Sequence, residues 1–275
     1  MDVRREVFFI DGRAGQRFCV LTRPVGMPRG GVLFVHPFAE ELNKSRRMVS
    51  LAAQAFAASG WMVLQIDLHG CGDSAGDFGD ACWQGWVDDV ALGWSWLRAH
   101  CEGPRVLWSL RAGSLLAADW LHGPALEQPA LLMWQPVSDG RQHLTQFLRL
   151  KAAGEMLADA DARQAMSLLR ESLQRGDGVE VAGYGLSAAL AAGLDAASLR
   201  LPPGYTAPVA LFEVDSRPQP ELSPALARLT ERLTKAGNLV RSEAVSGAAF
   251  WQTQEIETAP TMIEASLRML ERVAA

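Results

Sequence analysis

The sequence predicts an α/β domain, a mostly parallel central sheet flanked by helices on both faces. Short apolar runs rich in β-branched residues recur along the chain, and each stops at a polar or kinked pair, as buried parallel strands do. Segments with apolar residues at helical spacing lie between them. At 275 residues the chain is long enough to bury one full core, so residues 1–275 are read as a single domain.

The first such run is Gly31–Val35, which ends at His36-Pro37. Lys44 to Ala58 then carries Met48, Leu51, Ala52 and Ala55 at helical spacing and stops at Ser59-Gly60, a glycine end signal. A second strand, Met62 to Ile66, runs into Asp67-Leu68-His69-Gly70-Cys71-Gly72-Asp73-Ser74. A helix from Cys82 to Ala99 holds Trp83, Trp86, Trp94 and Trp96, rings suited to packing on a sheet or walling an apolar cleft. The strand Arg105–Trp108 follows, then a small-residue helix opening at Gly113-Ser114-Leu115-Leu116-Ala117-Ala118. Ala130–Trp134, Pro208–Val214 and Val240–Val245 complete a sheet of about seven or eight strands. Residues 140–205 read as helix and loop, with Val179–Val181 the one clear strand, and are expected to form a lid-like helical insertion.

Composition narrows the function. With 26 basic and 31 acidic residues the net charge is −5, so no broad basic face exists for nucleic acid. The four cysteines, Cys19, Cys71, Cys82 and Cys101, show neither CxxC nor Cys/His spacing, and Asp, Glu and His show no metal-ligand spacing either. No metal and no cofactor are expected; Gly70-Cys71-Gly72 is too short for a dinucleotide loop. The start MDVRREVFFIDGRAGQ has no secretory pattern, and no run approaches the ~18 apolar residues of a membrane span. A cytoplasmic protein with free thiols is the expectation.

The order of elements resembles the α/β-hydrolase superfamily over nearly the whole chain. A strand ending in His36-Pro37 stands where that superfamily places its oxyanion loop, and DLHGCGDS over Asp67–Ser74 is similar to its D-x-x-G-x-G-x-S loop. The runs His36-Pro37-Phe38-Ala39-Glu40-Glu41-Leu42-Asn43-Lys44-Ser45-Arg46-Arg47 and Phe250-Trp251-Gln252-Thr253-Gln254-Glu255-Ile256 resemble the exosortase A system-associated hydrolases, second type. That resemblance implies hydrolysis and a setting beside exopolysaccharide and protein-sorting genes.

The catalytic parts the superfamily implies are missing. Its nucleophile elbow, G-x-S-x-G, lies between a strand and a helix so that a sharp turn exposes the serine oxygen. Here Val106-Leu107-Trp108 and the helix from Gly113 frame Ser109-Leu110-Arg111-Ala112-Gly113, and Arg111 holds the nucleophile's place. Guanidinium has no oxygen or sulfur to attack with. Ser109 comes too early and Ser114 belongs to the helix. The triad histidine would follow the last strand, where Phe250 stands, and the last histidine in the chain is His143. Asp215, near the acid position, is read as a turn residue.

What remains clusters after the first strand: His36, Glu40, Glu41, Asn43, Lys44, Arg46 and Arg47. Ligands bind outside the carboxyl ends of strands in such sheets, so this segment, a loop running into the helix from Lys44, should face one cleft with the Arg111 turn. Two roles for Arg111 stay open: a fixed cation that binds an anion at a helix head, or a brace paired with Glu40 or Glu41. Three functions are therefore carried forward. The first is a non-catalytic or repurposed domain that binds an anionic small molecule, acylated or sugar-linked, through Arg111 with His36, Glu40, Glu41, Asn43 and Arg46. The second is an ester or thioester hydrolase in which Glu41 and His36 activate a water. The third is an adaptor for an exopolysaccharide-system protein, with its interface on the tryptophan-rich segment 83–96. His69 and Cys71, two apart in a glycine-rich loop, form a weaker candidate pair.

Overall fold

The computed structural model describes residues 2–123, 127–154 and 159–274. In chain order the strands are β1 (Val3–Gly12), β2 (Gly15–Pro24), β3 (Gly30–Val35), β4 (Trp61–Ile66), β5 (Arg105–Leu110), β6 (Ala130–Trp134), β7 (Val179–Val181), β8 (Tyr184–Leu186), β9 (Val209–Asp215) and β10 (Val240–Ser246). The helices are α1 (Glu40–Ala58), α2 (Trp83–His100), α3 (Gly113–Leu121), α4 (Gly140–Gly154), α5 (Asp159–Arg175), α6 (Ala188–Ala196), α7 (Pro224–Lys235) and α8 (Pro260–Ala274).

Eight strands form one sheet in the order β1-β2-β4-β3-β5-β6-β9-β10. It is parallel from β4 to β10, while β1 and β2 add an antiparallel edge. β3, β5 and β6 are apolar and buried along nearly their whole length, because helices cover both their faces. One core lies against α2 and α3 through Leu33, Leu107, Leu131 and Leu211. The other lies against α1 and α8 through Val32, Phe34, Trp108, Leu132 and Phe212.

The expected parallel sheet is present, and two features correct the sequence reading. The hairpin β1–β2 was not anticipated, because VRREVFFIDG places charged residues along a half-exposed edge strand. The helix read from Lys44 begins four residues earlier: α1 starts at Glu40, so the polar segment after β3 is largely helical. Glu40 and Glu41 sit in its first turn, where backbone N–H groups favour negative charge. Lys44 pairs with Glu40 one turn on at 3.1 Å.

Between β6 and β9 come α4, α5, the β7–β8 hairpin and α6, the region expected as an insertion; its residues 155–158 lie outside the described residues. Trp83, Trp86 and Trp94 are buried, and their indole N–H groups donate to Asp119, the carbonyl of His69 and Glu127. The tryptophan-rich segment therefore packs inward and presents no broad aromatic face. Among the described residues no helix is long and apolar enough to cross a membrane, and no cluster of His, Cys, Asp and Glu suits a metal ion.

Candidate functional site

Arg111 stands on the tight turn between β5 and α3 with a φ of 54°, left-handed backbone that costs an arginine about 1–3 kcal/mol. The surroundings hold it there. Its N–H donates to the carbonyl of Trp134 at 3.0 Å, and its own carbonyl accepts the N–H of Ser114 at 3.0 Å and of Val137 at 3.3 Å. Glycine is required two residues on, since a Cβ at Gly113 would lie 2.5 Å from the carbonyl oxygen of Val35. Ala39 and Gln135, at the ends of the neighbouring strands, also have positive φ (49° and 44°), so strained backbone gathers at this end of the sheet.

The turn aims Arg111 into a cleft of about 260 Å³ between α1, α4 and the segment after β10. Nε of Arg111 donates to Oε1 of Glu41 at 3.0 Å, and the guanidinium carbon lies 5.4 Å from the ring centre of Trp251. That leaves the edge formed by the two Nη nitrogens without a protein acceptor among the described residues. His143, 7% exposed, borders the cleft from α4 with its ring edge-on to Phe38. Neither of its ring nitrogens has a protein partner among the described residues. Burial, helped by the positive charge of Arg111, lowers the His143 pKa to about 3, so its imidazole is neutral at ordinary pH. Burial raises the Glu41 pKa, while Arg111 opposes the rise. Glu41 Oε2, His143 Nδ1 and Trp251 Nε1 are all buried without a hydrogen-bond partner. Three orphaned polar atoms around one cleft are costly unless something supplies partners.

A larger groove, about 760 Å³, runs beside β9, β10 and α8. Its Arg241, Arg268 and Arg272 are exposed to solvent, and none of the orphaned atoms lies there. The chemistry points to the smaller cleft.

Of the six residues assigned to ligand binding from the sequence, the structure brings Arg111, Glu40 and Glu41 together at this cleft, joined by Lys44 from the same polar cluster, and places the other three elsewhere. His36 is 2% exposed; its Nδ1 contacts the carbonyl of Pro37 at 2.7 Å and its Nε2 accepts the N–H of Leu68 at 3.2 Å. With both nitrogens engaged and its pKa lowered by burial, His36 cannot work with Glu41 on a water. Asn43 donates to the hydroxyl of Tyr184 at 3.3 Å, outside the cleft. Arg46 pairs with Asp67 at 3.1 Å and braces the glycine-rich loop. His69 and Cys71 do not line the cleft, and burial pushes the Cys71 thiol above its ordinary pKa, which leaves it unreactive. Ser109 and Ser114 face each other at 3.1 Å in the core, both fully buried. Asp215 takes hydrogen bonds from Nε of Arg217 at 2.7 Å and the N–H of Glu221 at 3.0 Å, as a turn residue does. Phe250, read from the sequence as standing where a triad histidine would, packs edge-on against Trp134 and Trp251 in the α8-side core.

His143 and Trp251 are the site residues that sequence reasoning missed. His143, Phe147 and Leu150 recur at i, i+4 and i+7 of α4 and all border the cleft, a signal that was available.

No protein-family model matches the sequence, and no curated protein matches it either. Solved structures do. Est1E from Butyrivibrio proteoclasticus, with ferulic acid bound, superposes with a TM-score of 0.65 at 16% identity, over 98% of this chain and 100% of that one. A lipase in its open form gives 0.64 at 17% identity, over 99% of each chain. An α/β serine hydrolase without a lid from Xanthomonas campestris gives 0.57 at 15% identity, over 99% of this chain and 96% of that one. The chain has the α/β-hydrolase fold. In α/β hydrolases the residue on the strand-to-helix elbow is the nucleophile, with the triad histidine after the last strand. This chain keeps a tight strand-to-helix turn and has an arginine on it.

Proposed function

We propose that this α/β-hydrolase-fold protein is catalytically repurposed, and that its elbow cleft binds an anionic small molecule, acylated or sugar-linked, through Arg111. The observation that carries this reading is the unused Nη edge of Arg111 beside the orphaned atoms of Glu41, His143 and Trp251. Glu41 then acts as a positioning residue: it holds the guanidinium by Nε and leaves the other edge for ligand. The two runs that resemble the exosortase-associated hydrolases supply Glu41, Lys44, Trp251 and Gln252 to this cleft, which favours a role in exopolysaccharide or protein-sorting chemistry. Segment 140–205 serves as the lid, contributing His143, Phe147 and Leu150. Free thiols at Cys19, Cys71, Cys82 and Cys101 suit a reducing compartment such as the cytoplasm.

A thermal-shift screen of phosphates, carboxylates, acyl-coenzyme A species and nucleotide sugars tests this. A ligand at a hundredfold excess over Kd stabilises by about 2.7 kcal/mol, and each kcal/mol raises Tm by about 2–4 °C for a domain of this size. At least one clear shift is expected, and Arg111→Ala should abolish it. If nothing shifts the parent and Arg111→Ala unfolds it, Arg111 is a structural brace.

One observation favours a second reading, ester or thioester hydrolysis by an activated water: the His143 imidazole borders the cleft with neither nitrogen partnered among the described residues, although its low pKa makes it a weak base. Turnover of an activated ester that His143→Ala removes would establish it. In either reading fluorophosphonates should leave Ser109 and Ser114 unlabelled, since both are buried and neither has a base beside it.

A further inference from the structure

We infer that the occupant of the elbow cleft is a small monocarboxylic acid with an apolar body. This rests on the anion-site reading above and goes beyond it by choosing among anions.

Charge decides first. The charged lining consists of Arg111 and Lys44 against Glu40 and Glu41, and Lys44 is already held by Glu40 at 3.1 Å and the carbonyl of Gln252 at 3.3 Å. One guanidinium edge is what remains. A monoanion there brings the lining to one net negative charge. A dianionic phosphate would bring two negative charges into the same low-dielectric space.

Size decides next. The cleft measures about 260 Å³. It lies below the ~300–1,000 Å³ of pockets that enclose drug-sized ligands, so a nucleotide sugar or coenzyme A would be left mostly outside.

Donor geometry and wall chemistry point the same way. The two Nη nitrogens present parallel N–H groups that match the two oxygens of a planar carboxylate. Trp251 Nε1 is a buried donor without an acceptor, and an indole can only donate. The nitrogen has no accessible surface in the unliganded fold, so the Trp251 ring turns as the acid enters and donates to a further carboxylate lone pair. His143 Nδ1 serves as donor or acceptor according to tautomer. Phe38, Phe147 and Leu150 form the apolar remainder of the wall and suit a short alkyl or single-ring body.

Titration calorimetry on the full chain tests the inference, with hexanoate and phenylacetate against methyl phenylacetate, inorganic phosphate and a nucleotide sugar. Both carboxylates should bind, the methyl ester at least a hundredfold more weakly, and phosphate and the nucleotide sugar not at all. Arg111→Gln should weaken phenylacetate binding by about ten- to 150-fold, the range for lost hydrogen bonds to a charged group. Trp251→Phe, which keeps a ring and removes the N–H, should weaken it by about five- to tenfold. A circular-dichroism melt confirms that each variant is folded; if Arg111→Gln is not, Trp251→Phe and the acid-against-ester comparison decide. Arg111-dependent binding of phosphate or the nucleotide sugar with no response to carboxylates would overturn the carboxylate class and leave the anion reading standing. Silence from every anion, an ester that binds as well as its acid, or binding indifferent to both substitutions would overturn both.

Discussion

Two buried polar regions flank the same end of the sheet and treat their polar atoms in opposite ways. Around the Asp67–Ser74 loop most groups find partners. Arg17 pairs with Asp89 at 2.7 Å, the other Asp89 oxygen accepts the N–H of His69 at 2.8 Å, and Asp67 accepts from Arg46 and from the N–H of Asp73. Ser74 links the N–H of Phe18 to the carbonyl of Asp67, which ties β2 to the loop. At the elbow, Arg111 uses one edge of its guanidinium while Glu41 Oε2, His143 Nδ1 and Trp251 Nε1 have none. The first region, where His69 Nδ1 is the one buried side-chain atom of the loop left without a partner among the described residues, is nearly complete as folded and serves the structure. The second carries strained backbone and unmet hydrogen bonds together, the combination expected where a ligand completes the arrangement.

The difference can be broken most visibly at Asp89. Asp89→Ala leaves Arg17, 2% exposed, as an uncompensated buried charge, which should cost about 3–5 kcal/mol. At about 2–4 °C per kcal/mol this is a Tm loss of roughly 6–20 °C by calorimetry. A loss below about 1 kcal/mol would mean that the loop network does not hold the fold.

A second effect is read against pH. The His143 pKa is about 3 folded and 6.5 for the free side chain, so between these values the unfolded chain binds a proton that the folded one does not. Stability therefore falls as pH falls through this window, at up to about 1.4 kcal/mol per unit. His143→Leu removes that term, and its stability should drop by about 2 kcal/mol less than the parent's between about pH 6 and 4 in urea titrations. Parallel curves would show that His143 is not held neutral at the cleft.

The smallest effect isolates the elbow backbone. Arg111→Ala and Arg111→Gly both lose the side chain, but only glycine is at ease at a φ of 54°. The glycine variant should be the more stable of the two by about 1 kcal/mol. The reverse order would mean that the turn relaxes out of its strained form once the arginine is gone.

These contrasts mark what the residues alone could reveal. β3, β4, β5 and β6 were legible because strands buried on both faces read as unbroken apolar runs, and the elbow was legible because such a strand meets the small-residue helix at Gly113. β1 and β2 were not, since Arg4, Arg5 and Glu6 sit on a half-exposed hairpin without clean alternation. The contact of Glu41 with Arg111 joins residues 70 positions apart, beyond any local spacing rule. His36 misled for a related reason: a histidine at a strand end reads as a cleft residue until its hydrogen bonds to Pro37 and Leu68 show it in the core. His143 could have been found from its face of α4, had the aromatic and aliphatic residues below it been read as a cleft wall.

A crystal structure grown with phenylacetate tests the central claim most directly. The account predicts the carboxylate on the Nη edge of Arg111 at about 2.7–2.9 Å, the usual separation for such charged pairs, with an oxygen accepting from Nε1 of Trp251 and the ring against Phe147. An empty cleft at saturating acid, with both Nη nitrogens bonded to protein acceptors, would contradict it.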